Sequence, residues 1–143
     1  MRRIAIAFAA LALAACGSES ARPNNGTLSA QIGGVAWTAV TTFGTRNGTT
    51  LDVTAQNASH DVLEFAVDSV TAPGTYPTGP GLRGHSECSL IQNDMIYMTL
   101  GPGADGVVIT SLTDVGVSGT FAFALDFKGQ TTPVTSGKFT ISF

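Results

Sequence analysis

His85, Glu87 and Cys88 stand within four residues of one another in the stretch LRGHSEC. Imidazole, carboxylate and thiol are side chains that ligate metals and relay protons. On an extended strand, where side chains alternate, His85 and Glu87 would share a face. His-x-Glu is also half of the zinc deaminase signature, but no Pro-Cys-x-x-Cys follows it, so that ligand set is incomplete. The competing reading is a polar strand end beside a buried, inert Cys88, which is the commoner state of a free cysteine.

Nucleophilic catalysis requires a base beside the nucleophile and a third group to orient it. The chain has 2 histidines, His60 in a turn and His85 at a loop edge, and neither lies in a motif such as G-x-S-x-G. No catalytic residue is assigned, and a non-enzyme is expected. GPGLRG (79–84) and GPGADG (101–106) both fit G-x-G-x-x-G. The dinucleotide fingerprint needs a strand before it and a helix after it, and neither segment has the helix. Turn chemistry accounts for both, and no nucleotide is expected.

Cys16, the other of the 2 cysteines, ends the run LALAAC. The chain opens with Arg2 and Arg3, followed by about 12 uncharged residues from Ile4 to Ala15. That is shorter than the roughly 20 residues of a membrane span, and it fits the apolar region of an export signal. The residues Leu13-Ala14-Ala15-Cys16 resemble the lipobox of bacterial lipoproteins. This resemblance implies that residues 1–15 are a signal peptide, removed after export by the Sec route. Cys16 is then the lipid attachment site, its sulfur a thioether that cannot pair with Cys88. An ordinary cleavable signal that happens to end at a cysteine is the alternative. One acyl chain holds a protein marginally and two or three hold it stably, so the expected product is a globule held at a membrane without crossing it. Gly17 and Ser18 lack the Asp that marks inner-membrane retention in lipoproteins of enterobacterial type. The resemblance therefore implies a cell-envelope protein at the outer membrane, with no cofactor beyond the covalent lipid.

Loss of residues 1–15 removes 2 of the 7 Lys and Arg and none of the 10 Asp and Glu, leaving a formal charge of about −5. No basic patch remains to neutralise phosphates, so no nucleic acid partner is expected. The rest of the chain is long enough for one domain.

The elements that must position these residues are strands. After the polar stretch GSESARPNNGT, read as a flexible tether over 16–27, short runs of β-formers alternate with turn dipeptides at spacings near ten residues, as in all-β sandwiches and barrels. Gly33-Gly34 and Asn47-Gly48 suit two-residue hairpin turns, and Gln92-Asn93-Asp94 joins ECSLI to MIYMTL. Alternation places Trp37, Ala39 and Phe43 on one face, and Leu63, Phe65 and Val67 on another. Phe121, Phe123, Leu125, Phe127, Phe139, Ile141 and Phe143 should form much of the core. TAPGTYPTGPGLRGHSEC reads as a long loop, the kind of segment that often carries function. The expected fold is all-β: a single antiparallel β-sandwich or flattened barrel of about eight to nine strands over 28–143. Asn25, Asn47 and Asn57 each begin an N-x-Ser/Thr sequon, read in a bacterial lipoprotein as turn residues.

IGGVAWTA (32–39), PGTY (73–76), VSGTFAF (117–123) and SGKF (136–139) together resemble a family of small bacterial lipoproteins of unknown function, over about residues 28–143. That resemblance implies fold and placement and transfers no site. The functional expectation is a membrane-anchored, non-catalytic binding or interaction module with an envelope protein as partner. Its recognition surface would be the loop from Ala72 to Glu87, where Tyr76, Arg83, His85 and Glu87 supply contact chemistry. The alternatives are a calycin-like carrier of a small apolar ligand inside the barrel, and a metal-dependent enzyme using His85 and Glu87.

Overall fold

The structure, a computed structural model, describes residues 24–79 and 83–143. Cys16, the expected signal peptide and most of the expected tether lie outside those residues. The β-forming runs become ten strands: β1 (Gly26–Ile32), β2 (Val35–Asn47), β3 (Thr50–Asn57), β4 (Val62–Val67), β5 (Gly74–Thr78), β6 (Ser86–Gln92), β7 (Met95–Thr99), β8 (Gly103–Thr113), β9 (Gly116–Phe127) and β10 (Gln130–Ser142). Three hairpins turn through pairs in which both residues have positive φ: Gly33-Gly34 (58° and 80°), Asn93-Asp94 (52° and 60°) and Lys128-Gly129 (52° and 81°). These are the angles of the type I′ turn, whose twist matches that of the strands it joins. The β2–β3 turn sits one residue later than the sequence suggests: Asn47 pairs with Thr50, and Gly48 (φ 61°) leads the turn.

The fold is all-β, a ten-stranded and mainly antiparallel sheet folded into a β-sandwich. Strand order is β10-β1-β2-β3-β4-β6-β5-β8-β9-β7, and β9 also pairs with β10 from Phe127↔Gln130 to Gly116↔Ser142. The opposite side is thin. Among the described residues, β5 meets β6 at Thr78↔Ser86, and β7 meets β9 at Met98↔Asp126 and Thr99↔Leu125. This seam interrupts the ladder, so the sheet is not a closed barrel.

At the seam β6 forks. Ser86 pairs towards β5, while Ser89 to Gln92 pair with Met98 to Met95 of β7. Cys88 lies between the two partners, and a side chain supplies its missing ladder bonds. Thr99 Oγ1 accepts from the Cys88 N–H at 3.2 Å and donates to the Cys88 carbonyl at 3.4 Å. Buried backbone groups thereby stay paired where two strands diverge.

Between the layers, the Phe65 ring lies 5.2 Å from both Phe121 and Phe139, and 6.3 Å from Phe123. Tilted and edge-on rings at such distances add to the area they remove from water. Two glycines admit them. In the β9–β10 register Phe121 stands opposite Gly137 and Phe139 opposite Gly119. A Cβ on Gly137 would meet the Phe121 ring at 2.5 Å, and one on Gly119 would meet the Phe139 ring at 2.9 Å. The paired G-x-F sequences of VSGTF and SGKF are thus two halves of one packing unit. These rings occupy the centre that a ligand carrier would keep open.

Several expectations change for identifiable reasons. The long loop contains β5, which pairs with β8 from Gly74↔Ile109 to Thr78↔Gly103, so ten strands replace eight or nine. Gly103–Gly106 belong to β8 rather than to a turn. A register shift in β2 between Ala39 and Thr41 reverses the faces beyond it: Trp37 is buried, but so are Thr42 and Gly44, which leaves Phe43 in the outer row with Thr54. Phe127 packs instead against Tyr97 with 5.3 Å between ring centres, and Phe143 is 43% exposed. The last residues of the expected tether are also part of the fold. Asn25 Nδ2 donates to the carbonyls of Gly44 and Ser142, both at 2.8 Å, and its Oδ1 accepts from the Gly44 N–H at 2.9 Å. Its backbone bonds to Thr42 on one side and Ser142 on the other. Asn25 thus clamps the start of β1 between β2 and β10.

Candidate functional site

Among the described residues between Ala72 and Glu87, the expected contact side chains are placed differently from one another. Tyr76 is in β5 and buried, and its hydroxyl donates to the Ala72 carbonyl at 2.7 Å, so it holds the strand to its own approach and offers no contact outside. Arg83 is exposed beside Gly84. His85 precedes β6, with Nδ1 2.9 Å from the Arg83 carbonyl oxygen, and its own carbonyl accepts from the Asp68 N–H at 3.0 Å. The imidazole covers Gly79, where any Cβ would collide with it.

His85 and Glu87 line a common depression of about 280 Å³ with Asp52 and Asp68. Cys88 faces the other way. Its thiol is buried, with Sγ 3.8 Å from the Ser89 carbonyl, and burial, followed by the nearby Glu64 charge, pushes its pKa far above the usual range of a thiol. A protonated, enclosed sulfur is a poor nucleophile and a poor ligand. The His85–Glu87–Cys88 cluster is therefore split across the sheet, two members outside and one within. Among the described residues no group of three or more His, Cys, Asp or Glu is placed to hold a metal ion. His60 sits at φ 65° in the turn after β3, where Asn57 Oδ1 accepts from the N–H groups of Ser59 and Asp61, both at 2.9 Å. The Asn25 and Asn57 amides of two sequons are thus engaged within the fold.

A different surface assembles on the outer face of β3, β4, β6 and β7. Register fixes its rows. Gln56, Val62, Ile91 and Ile96 lie side by side, as do Thr54, Glu64, Ser89, Met98 and Asp126, and then Asp52, Ala66 and Glu87. The apolar members are open to solvent: Ile96 is 55% exposed, Met98 53% and Leu100, next outward along the chain, 71%. Ile91 and half-buried Val62 extend the stripe across the sheet. The core behind them is already complete, with Leu63 and Leu90 fully enclosed on the inner face.

Beside the stripe the sheet dips. Ala66 carries one methyl group between the carboxylates of Asp52 and Glu87 on the neighbouring strands, which leaves a pocket of about 290 Å³. Glu64, Glu87 and Asp52 supply its charge, Thr54 and Ser89 its hydroxyls, and Met98 an apolar wall. Thr54 Oγ1 donates to Glu64 Oε1 at 3.4 Å. No ion pair among the described residues neutralises these carboxylates. The arrangement can seat a positively charged group whose stem is apolar. The sequence carries a signal of this face in ECSLI and MIYMTL, which are apolar at positions of both parities. A strand covered on one side only would alternate.

The model of a family described as a domain of unknown function, DUF6252, matches residues 24–141, almost the whole of the ten-stranded unit. No curated protein and no solved structure matches the chain.

Proposed function

The chain belongs to the DUF6252 family, whose description carries no activity, and from the outer face of β3, β4, β6 and β7 we propose that it is a lipid-anchored, non-catalytic binding module of the cell envelope. The lipobox resemblance at Leu13–Cys16 supports the anchor. What carries the binding role is the stripe of Ile91, Ile96, Met98 and Leu100, exposed on a domain whose core is already filled. Each square ångström of apolar surface left in water forgoes about 25 cal/mol, and a contiguous patch of this kind marks an interaction surface.

Two measurements test the reading. Cys16→Ser is expected to release the protein from membranes and to abolish incorporation of labelled palmitate; equal membrane retention and labelling in this variant would remove the anchor. A photo-crosslinking residue at position 96 is expected to give a discrete adduct in intact cells, and one at position 114, exposed in the β8–β9 turn at the far end of β9 from Asp126, is expected to give none. If neither position gives an adduct, the binding role fails.

A further inference from the structure

We infer that the outer face of β6 and β7 docks a segment of another protein that carries Lys or Arg beside apolar side chains, the basic residue entering the pocket over Ala66. The inference rests on the binding role proposed above and adds the chemistry of the partner.

Charge selects among the possible occupants of this face. Glu64 and Asp126 stand in the same row as Met98, Glu87 and Asp52 share the next row, and Asp68 lies beyond them. A second copy docked about a two-fold axis would bring the same patch against itself, setting these carboxylates against their counterparts. Like charges brought together at an interface cost several kcal/mol. An anionic membrane surface meets the same repulsion. A neutral apolar partner would cover Ile96 and Met98 but would leave Glu64 and Glu87 desolvated without a counter-charge. A segment with both apolar and basic side chains meets each feature of the face.

The pocket itself narrows the chemistry. Its depth comes from Ala66, whose single methyl group stands in register between Asp52 and Glu87. Its wall towards the stripe is Met98, a thioether that adapts to a neighbouring chain. A Lys or Arg side chain laid from the stripe into the pocket would place its methylenes along Met98 and its charged head between Glu64 and Glu87. Lys and Arg commonly divide their surface in this way, stem on apolar ground and head among polar groups. The carboxylates would also attract such a partner before contact, so its binding must weaken as salt screens them.

The test uses the full mature chain in zwitterionic nanodiscs and two fluorescent peptides, LLKKLLKK and LLEELLEE, read by polarisation against empty nanodiscs. The lysine peptide is expected to bind with an affinity that falls as salt rises, and the glutamate peptide is not. Ile96→Asp, which removes part of the stripe, and Glu87→Lys, which reverses one pocket charge, should each weaken the lysine peptide roughly tenfold. Ala66→Leu fills the pocket with no change of charge and should weaken it as well. All three positions lie on the outer face, so the fold should survive, as circular dichroism would verify. Equal binding of both peptides, or unchanged binding by Glu87→Lys and Ala66→Leu, overturns the inference. So does sedimentation showing a dimer that Ile96→Asp dissociates, because the face would then belong to a second copy. A crosslink at position 96 to a segment without basic residues would overturn this inference and leave the binding role standing.

Discussion

Phe121 on β9 lies directly opposite Gly137 on β10, and its ring fills the space where a side chain at 137 would begin. The reciprocal pair, Phe139 over Gly119, repeats the arrangement two residues along the ladder. Gly137→Ala should therefore destabilise the fold by about 1–3 kcal/mol, the usual cost of forcing a methyl group into a packed core. Gly74→Ala is the control, since a Cβ there meets nothing within 4 Å. Thermal unfolding of the two variants should separate them clearly, and equal melting temperatures would contradict the packing described.

The Thr99 hydroxyl replaces two ladder bonds at the fork of β6. Thr99→Val keeps the shape and removes the oxygen, leaving the Cys88 N–H and carbonyl short of partners at a cost of about 1–3 kcal/mol. Hydrogen exchange at the Cys88 amide should accelerate markedly in this variant, and Thr99→Ser should restore much of the protection.

Cys88 should resist thiol reagents in the folded chain and react once the chain unfolds, as mass analysis of the peptide containing it can establish. Linkage gives the pH dependence. The thiol pKa is raised on folding, so its contribution to stability is complete below the unfolded value of about 8.5 and is lost as pH rises beyond that value. Cys88→Ala should lack this alkaline component of the unfolding profile.

Asn25→Ala removes one side chain that serves two strands. Unpairing the backbone groups of Gly44 and Ser142 at the sheet margin should cost about 2 kcal/mol, seen as a lower denaturant midpoint with an unchanged slope. A change in slope would mean that the clamp also shapes the unfolded ensemble.

Alternation made much of the fold legible in the sequence. Leu63, Phe65 and Val67 are buried on one face as expected, and so are Phe121, Phe123, Leu125, Phe139 and Ile141. A period of two holds wherever the ladder is regular. It failed at Phe43 because the irregularity at Val40 is a long-range feature, visible only when β2 is laid against β3. β5 was hidden for a similar reason: Pro73, Pro77 and the glycines around them read as a loop, yet this short strand finds β8 and its Tyr76 reaches the core. The candidate site was less legible than the fold. Grouping His85, Glu87 and Cys88 by proximity in sequence put together residues that the pleat separates. The pocket over Ala66 draws its carboxylates from three strands, and no local motif spells that out.

The clamp at Asn25 also determines how the domain would carry load. Force reaching the chain from the residues before it enters at the start of β1, which runs antiparallel to β2 on one side and β10 on the other. Tension along the axis of that strand therefore loads two rows of bonds together, one to β2 and one to β10.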